Sequence, residues 1–399
     1  MPHQKKDRSG CGCLNIPLSV ILAVAGGGYW WFSQAENLDM FSRFLSKDER
    51  INIPIFNPTP TSPSISIPTA SATPKNSLPT SVNVASKNNK ASSTITQERK
   101  TVLPPNPWEK KLIRGIYLSR YQATNNADEQ TIRQRVRYYR SQGINTIIHG
   151  VWGNGCTMYK SDVMQQTLGY SSCPNQFQEK WLNWLIDEAH KQGMQVHAYF
   201  EKGIKIDKNS PIFDLAVAKN WMVPGIDKTY AGIDHYVLDV EKPEVATFFK
   251  NISVEFVKKY PNVDAVQWDD YLGYYAELPG KTDRTKHLTK FVQQMTSSMK
   301  EANSLVSFDI CHHNPYWAKK YFAADWEQWG VDRVFIQAYN DKNFTEELNY
   351  AQKYAGIAIT DKQLSRLKEL VNNPNIQSIL VFPFSGNPEK TASNLKQAI

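Results

Sequence analysis

From Arg114 onward the chain alternates two hydrophobic rhythms. Short apolar runs of strand character are followed by stretches in which apolar residues recur every three or four positions, the spacing of one helix face. Strands are predicted over residues 115–121, 145–152, 195–201, 263–271, 305–312, 333–340, 378–384 and, from a weaker signal, 356–359. Between them Val245, Phe248, Phe249, Ile252, Phe256 and Tyr260 make one apolar stripe, and Leu288, Phe291, Val292, Met295 and Met299 another. These stripes are packing faces. Strands alternating with helices call for a parallel sheet, and eight strands in a segment of this length favour closure. The expected fold class is therefore α/β, a (β/α)8 TIM barrel over residues 106–399.

The connections are unequal. Helical stretches end at Gly143 and Gly193 with a strand following at once, as in tight turns with a glycine cap. The strand-to-helix connections are longer, above all 153–178 and 202–242. Long loops on one face only are how a barrel builds an active-site rim.

Upstream the rhythm disappears. Lys5, Lys6 and Arg8 precede a mostly apolar stretch from Leu14 to Phe32, closed by Tyr29, Trp30, Trp31 and Phe32. Roughly 19 residues just span a hydrocarbon core, and basic residues before it keep a short tail inside. The predicted order is a cytoplasmic tail (1–13), a single transmembrane signal-anchor helix (14–33), a flexible linker (34–105) and the barrel. A cleaved signal peptide is the competing reading, since Ala23-Val24-Ala25 resembles a cleavage site. The apolar stretch runs on past that site to a full spanning length, which favours the anchor. The linker is rich in Pro, Ser, Thr and Asn, a composition that cannot bury enough apolar surface to fold. The expected location is membrane-anchored with the barrel extracytoplasmic, periplasmic or at the cell surface.

Composition changes this picture little. The 399 residues are 41% apolar and 12% aromatic, enough for a sizeable core. The formal charge of +8 is scattered, without a basic run or nucleic-acid motif, so no nucleic-acid partner is expected. Export affects the five cysteines more. Cys11 and Cys13 precede the span and are expected to stay thiols. Cys156 and Cys173 flank one exported loop and are read as a disulfide, the alternative being two unrelated thiols; Cys311 reads as core. No paired CxxC spacing is present, and the adjacent His312 and His313 point to opposite sides of a strand. Neither a metal nor a cofactor is expected.

The candidate chemistry collects at strand tips. Trp268-Asp269-Asp270-Tyr271 ends the fourth strand, with Asp269 expected to face the lumen beside Gln267 and Tyr271, and Asp270 to turn toward the loop. On the third strand His197, Tyr199 and Glu201 share one face. Glycoside cleavage ordinarily uses two carboxyls, one to protonate the leaving oxygen and one to attack the sugar or activate water. Asp269 is the first candidate; Glu201 and Asp270 are the others. Glu201 paired with Lys202 or Lys205 is the plainer alternative. Substrate-binding candidates are His149, Trp152, His197, Tyr199, Tyr271, Asp309, His312, Gln337 and Tyr339, since rings stack on sugar faces and polar groups bind hydroxyls.

At these residues the sequence resembles the glycosyl hydrolase-like 10 family. The carrying features are Arg114-Gly115-Ile116-Tyr117, the run from Ile186 through Asp187-Glu188-Ala189-His190 to His197-Ala198-Tyr199, Leu238-Asp239 with Pro243-Glu244-Val245, and the Asp269-Asp270-Tyr271 tip. The resemblance implies a TIM-barrel glycosidase, in some members acting on bacterial cell-wall glycan, with the Asp-Asp-Tyr tip catalytic. This chain departs from it after His197, carrying Glu201-Lys202 where Asn-Pro is usual, which leaves the second carboxylate open. The expected partner is a peptidoglycan-like polysaccharide. A glycan-binding scaffold without turnover is the alternative on the same barrel.

Overall fold

The computed structural model describes residues 106–119, 126–174, 177–223, 235–276, 278 and 280–399. The expected transmembrane helix, the linker and Cys11 and Cys13 lie outside the described residues. Within them, no helix is long and apolar enough to cross a membrane.

Eight parallel strands form the barrel: β1 (Ile113–Leu118), β2 (Thr146–Gly153), β3 (Gln195–Phe200), β4 (Ala265–Asp269), β5 (Ser307–His312), β6 (Arg333–Gln337), β7 (Gly356–Thr360) and β8 (Ser378–Phe382). Each pairs in parallel with its neighbours in chain order, and β8 closes on β1, with Ile113 opposite Ser378 and Ile116 opposite Val381. All eight expected strands are present. Their C-terminal ends fall short where expectation ran through a turn: β4 stops at Asp269, and Asp270–Leu272 form a single 3-10 turn.

Alternation sorts the side chains. Ile113, Tyr117, Ile148, Cys311, Phe335, Ala358 and Leu380 meet inside the barrel, while the other parity faces the helices. Both apolar stripes read from the sequence are buried in that outer layer, on helices Pro243–Lys259 and Arg284–Ala302, with Tyr260 just beyond the first. Gly143 and Gly193 take positive φ values of 86° and 66° just after their helices, which lets the chain turn straight into the next strand.

The two long loops carry structure of their own. After β2, Gly153 pairs back with Cys156, and Cys156 is disulfide-bonded to Cys173. After β3, a ribbon pairs Lys205–Ile206 with Tyr236–Val237. The bridge closes a short loop, 17 residues in sequence separation. A chain-entropy estimate gives it about 3 kcal/mol. Replacing both cysteines by serine is therefore expected to lower the denaturation midpoint at unchanged slope, by about that free energy; an unmoved midpoint would show that the loop is held by its packing alone.

Candidate active site

The site lies where β3, β4 and β6 end. Asp269, the last residue of β4, is 7% exposed. Its Oδ2 accepts a hydrogen bond from the Tyr199 hydroxyl, and its Oδ1 accepts one from the Tyr271 backbone N–H at 2.9 Å. Tyr199 reaches it because β3 neighbours β4 and Tyr199 stands opposite Gln267, two residues before Asp269. Asp270 does not turn away toward the loop as alternation suggested. The 3-10 turn that begins with it bends the chain, and Gln337 Nε2 donates to Asp270 Oδ1 at 3.0 Å. Gln337 is itself fixed by a second bond, 3.0 Å to the Cys311 carbonyl. Two adjacent carboxyls thus share one mouth.

Their ionisation is split. Burial pushes the Asp269 carboxyl well above the usual carboxylate range, the negative charge of Asp270 adds to it, and the bonds from Tyr199 and Tyr271 only partly offset this. Burial also opposes the charge on Asp270, but the fields of His313, of Lys205 and, where its ring is protonated at low pH, of His312, together with the Gln337 amide, outweigh it and hold that carboxyl low. Asp269 is the protonated partner and Asp270 the anion. Both oxygens of Asp269 accept a bond, Oδ1 from the Tyr271 N–H and Oδ2 from the Tyr199 hydroxyl. Burial keeps Tyr199 a phenol.

Lys205, read from the sequence only as an alternative ion-pair partner of Glu201, stands instead beside Asp270. It is 1% exposed, and its ammonium sits 3.1 Å from the Asp270 carbonyl oxygen. Three rings surround it, Tyr275, Tyr271 and Phe322, with centroids 4.0, 4.8 and 5.1 Å from Nζ. No periodicity marks it, because the rings come from segments far apart in the chain. The Ile204 N–H also donates to the Tyr271 carbonyl at 3.1 Å, so this segment clamps the turn that aims Asp270. Gly203 makes the approach possible. Its φ is +45°, and a Cβ there would lie 2.4 Å from the Tyr271 oxygen.

Glu201 follows β3 in a turn and is half-buried. Its Oε2 is buried without a hydrogen-bond partner. Lys202 instead pairs with Asp207, which also holds His235 Nδ1 at 2.8 Å. The His235 ring lies 5.3 Å from that of Tyr271. Tyr339 is half-buried, with its hydroxyl 3.5 Å from Cys311 Sγ.

Other candidates stand elsewhere, and the expectation that they bind substrate is corrected. His149 and Trp152 are fully buried in the outer layer, His149 against Trp181 and Trp152 against Phe248 and Phe249. The reason is parity: Ile148 points inward, so His149 points out, and a register shift between Gly150 and Trp152 sends Trp152 out as well. His312 is likewise outward of Cys311, packed between Phe322 and Trp329. Asp309 and His197 do face the lumen, but three residues below their strand ends. There Arg333 Nε contacts Asp309 at 2.9 and 3.1 Å, and His197 Nδ1 lies 3.5 Å from it. Burial drives the His197 and His312 rings down to about 3 and that of His149 to about 4, so all three are neutral near pH 7. Among the described residues no cluster has the makings of a metal site.

Replacing Lys205 with methionine removes the buried cation while keeping most of its stem. The Asp270 carboxyl is then expected to titrate at higher pH than in the wild type, read by carbonyl-carbon NMR. A folded variant with an unmoved titration would remove Lys205 from the electrostatics of the pair.

Comparison with known proteins adds a family. The protein named glycosyl hydrolase DigH from Escherichia coli (strain K12) is 28% identical over 183 residues, 42% of this chain and 39% of that protein. The protein of the same name from Shigella flexneri gives the same figures. The chain therefore spans 39% of the length of these curated relatives. Among solved structures, a glycoside hydrolase family 20 β-N-acetylglucosaminidase superposes with a TM-score of 0.44 at 10% identity, over 72% of this chain and 69% of its own. The GH36 α-galactosidase AgaA from Geobacillus stearothermophilus gives 0.44 at 14% identity, over 73% and 43%. The glycosyl hydrolase-like 10 model matches residues 112–288, a stretch that runs from β1 into the helix after β4 and holds Tyr199, Glu201, Lys205, Asp269 and Asp270. Over that stretch the chain is similar to the glycosyl hydrolase-like 10 family.

Proposed function

We propose that the barrel is a glycoside hydrolase acting on an extracytoplasmic polysaccharide, cell-wall glycan above all, with Asp269 as general acid. One observation carries this reading: adjacent carboxyls at the C-terminal mouth of a barrel, one held protonated and the other ionised. A glycosidic bond laid over them meets the Asp269 proton for the departing oxygen. As that bond breaks, positive charge grows on the sugar ring, and the Asp270 anion stabilises it by attacking the sugar or activating water. Tyr199 holds the Asp269 carboxyl in place, and Lys205 and Gln337 keep Asp270 charged and aimed. The unpartnered Oε2 of Glu201 is an acceptor suited to a sugar hydroxyl.

The name of the curated relative, a glycosyl hydrolase, supports the reaction class. The Cys156–Cys173 bridge supports an oxidising compartment. With the apolar stretch at 14–33 as anchor and the Pro-rich linker as tether, the barrel would work outside the membrane on a polymer too large to enter.

Digestion of purified sacculi and other polysaccharides by the full chain, with products identified by mass, tests the proposal. Asp269→Asn is expected to abolish product release while leaving the circular dichroism spectrum unchanged. The wild-type rate should fall at high pH, where Asp269 loses its proton, and at low pH, where Asp270 gains one. Undiminished release by Asp269→Asn would exclude it as the acid. Saturable retention on sacculi with no product at any protein concentration would establish the scaffold alternative.

A further inference from the structure

β5 ends at His312, and only His313 and Asn314 separate it from the helix Pro315–Phe322, which therefore starts at the rim of the mouth. That start is fixed: Asn314, fully buried, accepts from the Trp317 N–H at 3.0 Å and donates to Glu347 at 2.9 Å. The helix turns aromatic side chains outward. Tyr316 is 59% exposed, and Trp317 and Tyr321 are half-buried, with ring centroids 5.3 Å apart. Lys320 lies over the rings of Tyr316 and Tyr321, 5.4 and 4.9 Å from their centroids. The rings do not stop there. Trp317 approaches His313 at 6.5 Å, His313 stacks on Phe322 at 5.1 Å, and Phe322 is one of the three rings around Lys205.

We propose that this helix face is an accessory sugar-binding shelf, seating a further residue of the same glycan strand whose scissile bond lies over Asp269 and Asp270. The inference rests on the glycosidase reading and extends it from the cleavage point to the run of the substrate. A lone exposed ring needs no explanation, but three rings and a cation in one patch do. Aromatic faces stack on the C–H face of a pyranose, and an ammonium beside them donates to its hydroxyls or to an acidic substituent. Rings already packed on one another lose little freedom when a sugar settles on them. Continuity identifies the occupant. Trp317 meets the part-exposed His313, and His313 stands close enough to Asp270 to lower its carboxyl, so a polymer held in the mouth reaches the shelf along a short surface path. Lys320 gives the shelf a charge opposite to that of the carboxyl-lined mouth, so an acidic substituent repelled at the cleavage point is accommodated there.

The test uses the full chain with cell-wall glycan strands of graded length. Trp317→Ala is expected to raise KM for long strands about tenfold with kcat unchanged and short fragments unaffected, roughly the loss of one stacking contact. Trp317→Phe should recover most of the loss. An identical length dependence in wild type and Trp317→Ala overturns the shelf. Cosedimentation with insoluble glycan runs beside it and needs no turnover. If the wild type cleaves nothing, the glycosidase reading fails, while weaker retention of Trp317→Ala still supports the shelf and equal retention overturns it. Should Trp317→Ala misfold, Tyr316→Ala at its exposed position carries the same comparison. Unchanged glycan retention with loss of a protein partner would mark the face as a protein-docking surface instead.

Discussion

Two carboxyls on consecutive residues cannot both ionise where water is scarce. Unit charges about 4 Å apart at an effective dielectric near 20 repel by about 4 kcal/mol, or roughly three pKa units. Any fold that brings Asp269 and Asp270 into one mouth must therefore choose which keeps its proton. Much of the local structure makes that choice. Asp269 is the more enclosed, with one oxygen against a phenol that burial keeps protonated. Asp270 starts a turn whose backbone is held by the segment carrying Gly203, Ile204 and Lys205, and its carboxyl receives the Gln337 amide. Moving the lysine segment by the width of one Cβ at Gly203 would push the Tyr271 carbonyl, and Asp270 with it. The chemical asymmetry of the pair is thus a packing property of β3 and β4 and the loops that leave them.

Periodicity made the barrel legible. A strand facing helices on one side and a lumen on the other carries apolar residues on both, and helices with single stripes such as that from Val245 to Tyr260 have only one face to bury. Depth along a strand was less visible. Asp309 and His197 look like site residues because polar groups on an inward face are rare in a closed core. Their position three residues below the strand ends puts them instead in a buried cluster with Arg333, Ser307 and Gln267. Parity misled for His149 and Trp152, which lie three residues apart and would face opposite ways but for a register shift that the sequence does not announce. Lys205 was hidden for a different reason. Its burial is decided by rings at 271, 275 and 322, and no local pattern of polar and apolar residues encodes a contact assembled over more than a hundred positions.

The lumen cluster explains how the barrel carries charge without using it. Asp309 is fully buried, and burial lifts its carboxyl to about 6 even though Arg333 grips both oxygens and Ser307 adds a bond. Near neutrality the ion pair is formed, and the neutral ring of His197 adds no second positive charge beside it. Such a pair contributes less to stability than a well-packed apolar core of the same volume would. What it supplies is a filled floor below the Tyr117, Tyr199 and Cys311 layer.

The family match covers β1 through β4, but the electrostatics of the pair are completed beyond it. Asp269, Asp270, Glu201 and Lys205 all lie inside residues 112–288. Gln337, which holds the Asp270 carboxyl, His313, whose field lowers it, and Phe322, one of the rings around Lys205, come from β6 and from the segment after β5. The matched half therefore supplies the acidic groups, and the unmatched half sets how one of them ionises. The aromatic helix face belongs to that second half too. The likeness is confined to β1–β4, and the groups that set the charge of Asp270 from β6 and from the segment after β5 lie outside it.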